Sequence, residues 1–311
     1  MKYKIILILT TIGCMFATAM AEGHMSNKEL KHINDSICHE ARMLYNAEKC
    51  AWNATDVCLA ECKNVDKGNF ILTYQVSEDY YSTILFNTED WTCYFQYNWT
   101  QGKGSSIFEP RPVTEEEKGA YRLQMRLKNQ IKQLKIVPDD SSFGGMNMQI
   151  LHLNKDLIRV YFLQGAKGNY VIPFGNDFCF DFDSSDKMIA ERKFHSGLLA
   201  AQWEKGNPPV YLCHSHSGML PITATDICTF LLYGADLYGM KNFAVFSTSI
   251  GVLEFDAEKF CINRLSNKQL FKKMKGKLTI DTATKWQHRT AQDNVLGLLY
   301  IEGKRLEKAT S

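Results

Sequence analysis

Between residues 69 and 99 the chain repeats one pattern three times. NFILTYQV, YYSTILF and TCYFQYNW are strand-like runs of apolar and aromatic residues, and turn-formers separate them. Runs of this kind bounded by turn-formers predict β-strands. A second group, MNMQILHL, LIRVYFLQG, NYVIPF and FCFDFD, lies between residues 146 and 183 and predicts a meandering sheet. Helical spacing governs other segments. Leu30, Ile33, Ile37, Ala41, Leu44 and Tyr45 recur at helical intervals, and residues 26–64 read as two helices broken at Asn53-Ala-Thr-Asp. Residues 114–136 form an amphipathic pattern with acids in the first turn and lysines in the last, the polarity a helix dipole favours. Residues 188–206, MIAERKFHSGLLAAQWEKG, predict a helix or a helix and loop. PPVYLCHSH predicts a strand, ITATDICTFLLYGADLYG a helix, and NFAVFSTSIGVLEFD two further strands. This order implies an α+β protein, a mixed sheet flanked by helices, preceded by a small cysteine-rich helix-plus-strand domain. The Gly-, Ser- and Pro-rich TQGKGSSIFEPRP, residues 100–112, predicts a linker. The expected organisation is a leader at 1–21, a cysteine-rich domain and linker at 22–112, a second domain at 113–263 and a polar, basic extension at 264–311.

The leader rests on Lys2 and Lys4 before the apolar run IILILTTIGCMFATAMA, with Ala19-Met20-Ala21 as a small-residue cleavage site. That is the form of a secretory signal peptide, and it predicts a secreted or periplasmic product. Lipoprotein anchoring at Cys14 is the alternative, with Thr11 a poor fit to it. The whole chain carries 36 Lys and Arg against 34 Asp and Glu; without the two leader lysines the balance is 34 against 34. Nothing resembles a basic patch with interleaved aromatics, so nucleic acid is not an expected partner, and no spanning segment is expected after the leader. Cys14 leaves with the leader, and nine cysteines remain: Cys38, Cys50, Cys58, Cys62, Cys93, Cys179, Cys213, Cys228 and Cys261. An exported chain with this many predicts disulfides. The odd total requires a free thiol or an intermolecular bond.

Functional chemistry concentrates in VYLCHSHSGMLPITATD, residues 210–226. If LCHSH ends a strand, His214 and His216 share a face, and Asp226 enters the first turn of the helix that follows. Two imidazoles and a carboxylate suit a catalytic zinc, which takes three protein ligands and leaves one position for water. The same residues fit a plainer reading, in which Thr223-x-x-Asp226 is a capping box and the histidines are polar edge residues. Cys213 points away from His214 and suits burial better than nucleophilic catalysis.

His214-Ser215-His216, six residues, then Thr223-Ala-Thr-Asp226 resembles the JAB/JAMM (MPN-like) metallopeptidase motif, in particular its bacterial exported and toxin-associated branch. The resemblance covers residues 113–260 and includes the opening helix and the Gly-Gly of Phe143-Gly-Gly-Met. It implies zinc held by His214, His216 and Asp226, Thr223 in place of the motif serine that supports the oxyanion, and a Glu upstream as general base. The spacer is one residue short of the family's usual length. The position for the base, two before the Gly-Gly pair, is Ser142, and Asp139 and Asp140 are out of register. Glu191 is the substitute candidate. His195 could approach the same cleft, although a lone histidine on an apolar helix is more often structural. The resemblance implies an exported zinc-dependent hydrolase that cleaves a peptide, isopeptide or cell-wall amide bond in a peptide, protein or cell-wall substrate; the alternative is a catalytically inactive relative that serves as a binding or structural module.

Overall fold

The computed structural model describes residues 26–132, 136, 144–195, 197–206, 209, 211–216, 220–247, 250–266 and 269–270. The expected leader, Cys14 and the positions Asp139, Asp140 and Ser142 lie outside the described residues, as does most of the C-terminal extension. The class is α+β, with several antiparallel sheets and one mixed sheet. Contacts divide the chain into two compact units. One comprises 39–208 and 223–239, the other 1–38, 209–222 and 240–311. Among the described residues no helix is long and apolar enough to cross a membrane.

The first helix, α1 (Asn27–Glu61), is continuous where two helices were expected. The polar Asn53-Ala-Thr-Asp segment does not break it. Thr55 donates its hydroxyl back to the Ala51 carbonyl one turn earlier, and Ala54 is buried among Ala47, Cys50 and Cys58. The buried stripe therefore outweighs the weak helix propensity of Asn, Thr and Asp.

In the larger unit, strands β1 (Phe70–Ser77), β2 (Tyr80–Phe86) and β3 (Thr92–Thr100) pair in sequence, as the strand-like runs implied. Along β3, Cys93, Phe95, Tyr97 and Trp99 are buried and the residues between them are not. The segment expected as a linker continues this sheet. Residues Lys103–Ile107 form β4 and Arg111–Pro112 form β5, both paired with β3. Gln101 and Gly102 take the left-handed conformation that a tight reversal needs, so the Gly signal here marks a hairpin. Helix α2 (Glu115–Ile131) begins at a capping box between Thr114 and Glu117, as its acidic first turn suggested.

A second antiparallel sheet runs β10-β9-β7-β6, from β6 (Met146–Asn154), β7 (Leu157–Gln164), β9 (Phe178–Asp183) and β10 (Met188–Lys193). A separate hairpin joins β8 (Val171–Gly175) to β11 (Leu198–Gln202). The helix expected over 188–206 is therefore two strands. Met, Ala, Glu, Arg, Lys and Leu favour a helix locally, but pairing with β9 and β8 decides the conformation. Asp181, fully buried on β9, is bound by Arg159 from β7 and Arg192 from β10. Burial would raise its pKa, but the two guanidinium groups more than offset that and hold the carboxyl below the usual range.

The smaller unit holds a four-stranded mixed sheet, β12-β13-β14-β15: β12 (Leu212–His216), β13 (Asn242–Ser247), β14 (Gly251–Asp256) and β15 (Cys261–Leu265). Only β12 and β13 run parallel. Cys213 packs with Ala244, Val252 and Leu270, as a small buried hydrophobe, and burial pushes its thiol up to about 12. All nine described cysteines are free thiols, and eight are buried. Cys50, Cys58 and Cys62 pack in one core cluster with Cys179 and Cys228, and Cys93 in another.

Glu48 of α1 is buried in the larger unit, where Asn147 and Gln149 of β6 donate to its carboxyl. Burial pushes this group up to about 7, against the lowering effect of the two amide donors. A carboxyl raised in the folded state adds stability below its unfolded pKa of ~4.3, and that stability is lost as pH rises through about 7. Urea unfolding of the parent should therefore weaken by a few kcal/mol between pH 5 and pH 8, and Glu48→Gln should remove most of that decline. Equal pH dependence in the two proteins would show that Glu48 ionises normally.

Candidate metal centre

Strand alternation puts His214 and His216 on one face of β12, both buried. Their Nε2 atoms face each other at 3.2 Å. His216 Nδ1 lies 2.7 Å from the Pro221 carbonyl, which can only accept. The ring hydrogen therefore sits on Nδ1, and the neutral ring turns a lone pair outward at Nε2. His214 stacks against Phe243 of the neighbouring strand, which limits how its ring can turn.

Thr223 is extended and caps helix α3 (Ala224–Thr229). Its hydroxyl accepts from the Asp226 amide at 3.1 Å and bonds Asp226 Oδ2 at 2.7 Å, and its own amide donates to the same oxygen at 2.8 Å. The capping box read from the sequence is thus present, and it uses one oxygen of Asp226. The other, Oδ1, lies 3.3 Å from His195 Nε2. All six residues of α3 are buried. The helix continues as a π turn over Phe230–Ala235 and ends in α4 (Asp236–Tyr238) at Gly239, which takes the left-handed conformation of a helix stop. Gly234 leaves room for Phe230 and for Ile172 of β8.

His195 arrives through a feature of the larger unit that the helix assignment concealed. At one place the chain crosses between the sheet and the hairpin twice, from β8 to β9 and from β10 to β11. The two crossings run side by side, with the Asn176 amide donating to the Gly197 carbonyl at 3.0 Å. Asp177 sits on the first and His195 on the second, and His195 Nδ1 lies 2.7 Å from Asp177 Oδ1. Asp177 Oδ2 also accepts from the Thr225 hydroxyl of α3. Burial alone would lower the His195 pKa, but the carboxylates of Asp177 and Asp226 outweigh it and hold the imidazole well above its ordinary value.

His195, His214, His216 and Asp226 are all buried, and their donor atoms lie within 4.8 Å of one another, so the cluster can hold a metal ion. Three of the four were expected. Thr223 stands at the helix start, as expected, with its hydroxyl engaged by Asp226 and Thr225. Glu191 lies on the exposed side of β10, outside the cluster. Sequence reasoning missed Asp177 and underrated His195. The available signal was Gly175-Asn176, two consecutive left-handed residues just before Asp177. No protein-family model, curated protein or solved structure matches this chain.

Gly175 has φ +82, and a Cβ there would lie 2.3 Å from the Gly197 carbonyl oxygen and 3.2 Å from the His195 Cβ. Gly175→Ala should therefore cost at least ~1–2 kcal/mol from the backbone alone, more with the clash, read as a fall in melting temperature. An unchanged melting temperature would mean that the crossing tolerates a wider separation than the structure shows.

Proposed function

We propose that this chain is an exported zinc-binding protein of JAB/JAMM type, with the metal held by His214, His216 and Asp226. The observation that carries this is the facing pair of imidazole nitrogens, one of them fixed as a lone pair by Pro221. Two donors on a four-coordinate zinc, each at ~2.0–2.1 Å, stand roughly 3.3 Å apart, close to the 3.2 Å between His214 and His216 Nε2. The donor set of imidazole nitrogen and carboxylate oxygen suits zinc.

Within that family resemblance two roles compete. Zinc with an open position supplies Lewis acidity and an acidified water, and Thr223 stands where the motif serine would, which supports a hydrolase of peptide, isopeptide or cell-wall amide bonds. That role also needs a base, and Glu191, the residue assigned to it, is exposed on β10. The burial of the whole donor set and the engagement of the Thr223 hydroxyl favour the other role, a metal-stabilised binding or structural module. We take this second role as the better reading.

Elemental analysis of the purified protein should find about one zinc per chain, and none in the His214→Ala/His216→Ala double variant. Metal bound only by the folded state adds RT ln(1 + [Zn]/Kd), ~2.7 kcal/mol at a hundredfold excess over Kd, so a chelator should lower the melting temperature of the parent and leave the double variant unchanged. Failure of the parent to take up zinc after reconstitution would remove the metal reading. Release of product from amide substrates by zinc-loaded parent, but not by the double variant, would restore the hydrolase role.

A further inference from the structure

We propose that Cys58 and Cys62 form a thiol–disulfide site at the C-terminal end of α1, closed by exchange with an external disulfide. Both residues lie in the larger unit, and the pair is independent of the metal cluster. One helical turn separates them, with the Cys62 amide donating to the Cys58 carbonyl at 3.0 Å. Their side chains share one core cluster. Burial, and after it the neighbouring Cys62 thiol, pushes Cys58 up to about 11.

Helix geometry sets residues four apart at roughly 6.2 Å between Cα atoms, inside the ~4.4–6.8 Å that a disulfide spans. Their Cβ atoms stand about 5–6 Å apart, against ~3.5–4.5 Å in a disulfide. Closure therefore requires the last turn to tighten. This end of α1 is built to allow it, because the helix stops at Glu61 and Cys62 is the first residue beyond. Cys58 also lines a cleft of about 160 Å³ with Ala54, Thr55, Ile71 and Phe95. Thr55 and Ile71 are exposed, so core packing does not enclose the Cys58 sulfur on every side. The nearby thiols are engaged elsewhere. Cys50 shares a hydrogen bond with the Thr83 hydroxyl, and Cys93, in a different cluster, donates to the Phe95 carbonyl.

The Cys62 thiolate attacks one sulfur of a low-molecular-weight or protein disulfide, releases one thiolate and holds the other half as a mixed disulfide. Cys62 goes first because it lies past the helix end and is less buried than Cys58, 8% exposed against 3%. The Cys58 thiolate then attacks the Cys62 sulfur and displaces the second thiolate. The two cysteines give up two electrons and two protons, and the donor disulfide leaves as two thiols. The bond formed is strained by its Cβ geometry, and a strained disulfide is readily reduced. An oxidising exterior, as the export reading implies, supplies the donor. The competing account makes both cysteines inert buried hydrophobes.

The full chain is equilibrated anaerobically in mixtures of reduced and oxidised glutathione, quenched in acid, unfolded and alkylated. Proteolysis after Glu61 then separates the two cysteines, so that only a disulfide joins their peptides. Oxidised mixtures should yield Cys58 and Cys62 peptides linked and lighter by two hydrogens. A tenfold rise in reduced glutathione at fixed oxidised glutathione should lower the closed-to-open ratio about a hundredfold, as two-thiol exchange requires. Cys58→Ser should stop at a Cys62–glutathione mixed disulfide, Cys62→Ser should leave Cys58 alkylated, and Cys50→Ser should keep the link. The parent's own linkage decides the matter if a variant does not fold. Both cysteines alkylated at every ratio, or Cys62 joined to Cys93 instead, would overturn the assignment and leave the metal reading untouched.

Discussion

One carboxylate, Asp226, is shared between two tasks. Its Oδ2 accepts from the amide and hydroxyl of Thr223 and so starts helix α3, while its Oδ1 faces His195. A cap of this kind is worth ~0.5–2 kcal/mol to a helix. A buried carboxylate without partners would cost far more, so the position depends on Thr223 at one oxygen and the ion pair with His195 at the other. The sequence offered the capping box and the metal ligand as rival accounts of this residue. The two oxygens of a carboxylate allow both at once, and the cap fixes the rotation that aims the second oxygen.

The larger unit carries other buried ionisable groups, and each has its own means of satisfaction. Asp181 is clamped by Arg159 and Arg192 across adjacent strands and stays ionised. Glu48 has only neutral amide donors, and burial pushes it up to about 7. Asp177 and His195 form a third arrangement, tied together by a hydrogen bond and through Asp177 to α3. The first two occur within packed elements. The third occurs where two chain crossings meet, a place where backbone turns bring side chains together without help from strand or helix periodicity.

Much of the fold was legible because its elements repeat. Strands β1 to β3, β6 to β9 and β12 to β14 follow from strand-like apolar runs, and α2 from its acidic first turn. Misreadings came where local preference and pairing disagree. Residues 188–206 have helix-forming composition and become strands because β9 and β8 offer them partners. Residues 103–112 have linker composition and become edge pairs of β3. The polar break in α1 is overridden because Ala54 and Cys58 continue its buried stripe.

For the candidate site the division is sharper. Sequence alone determined that His214 and His216 share a face and that Asp226 lies in a capped first turn, because strand and helix periods fix these relations within a few residues. It could not place Asp177 and His195, which are 18 residues apart and on no common element. Their meeting depends on β8 pairing with β11 while β9 pairs with β10, so that both connections cross at the same point. That is a property of strand pairing over long sequence separation, which only the tertiary structure decides.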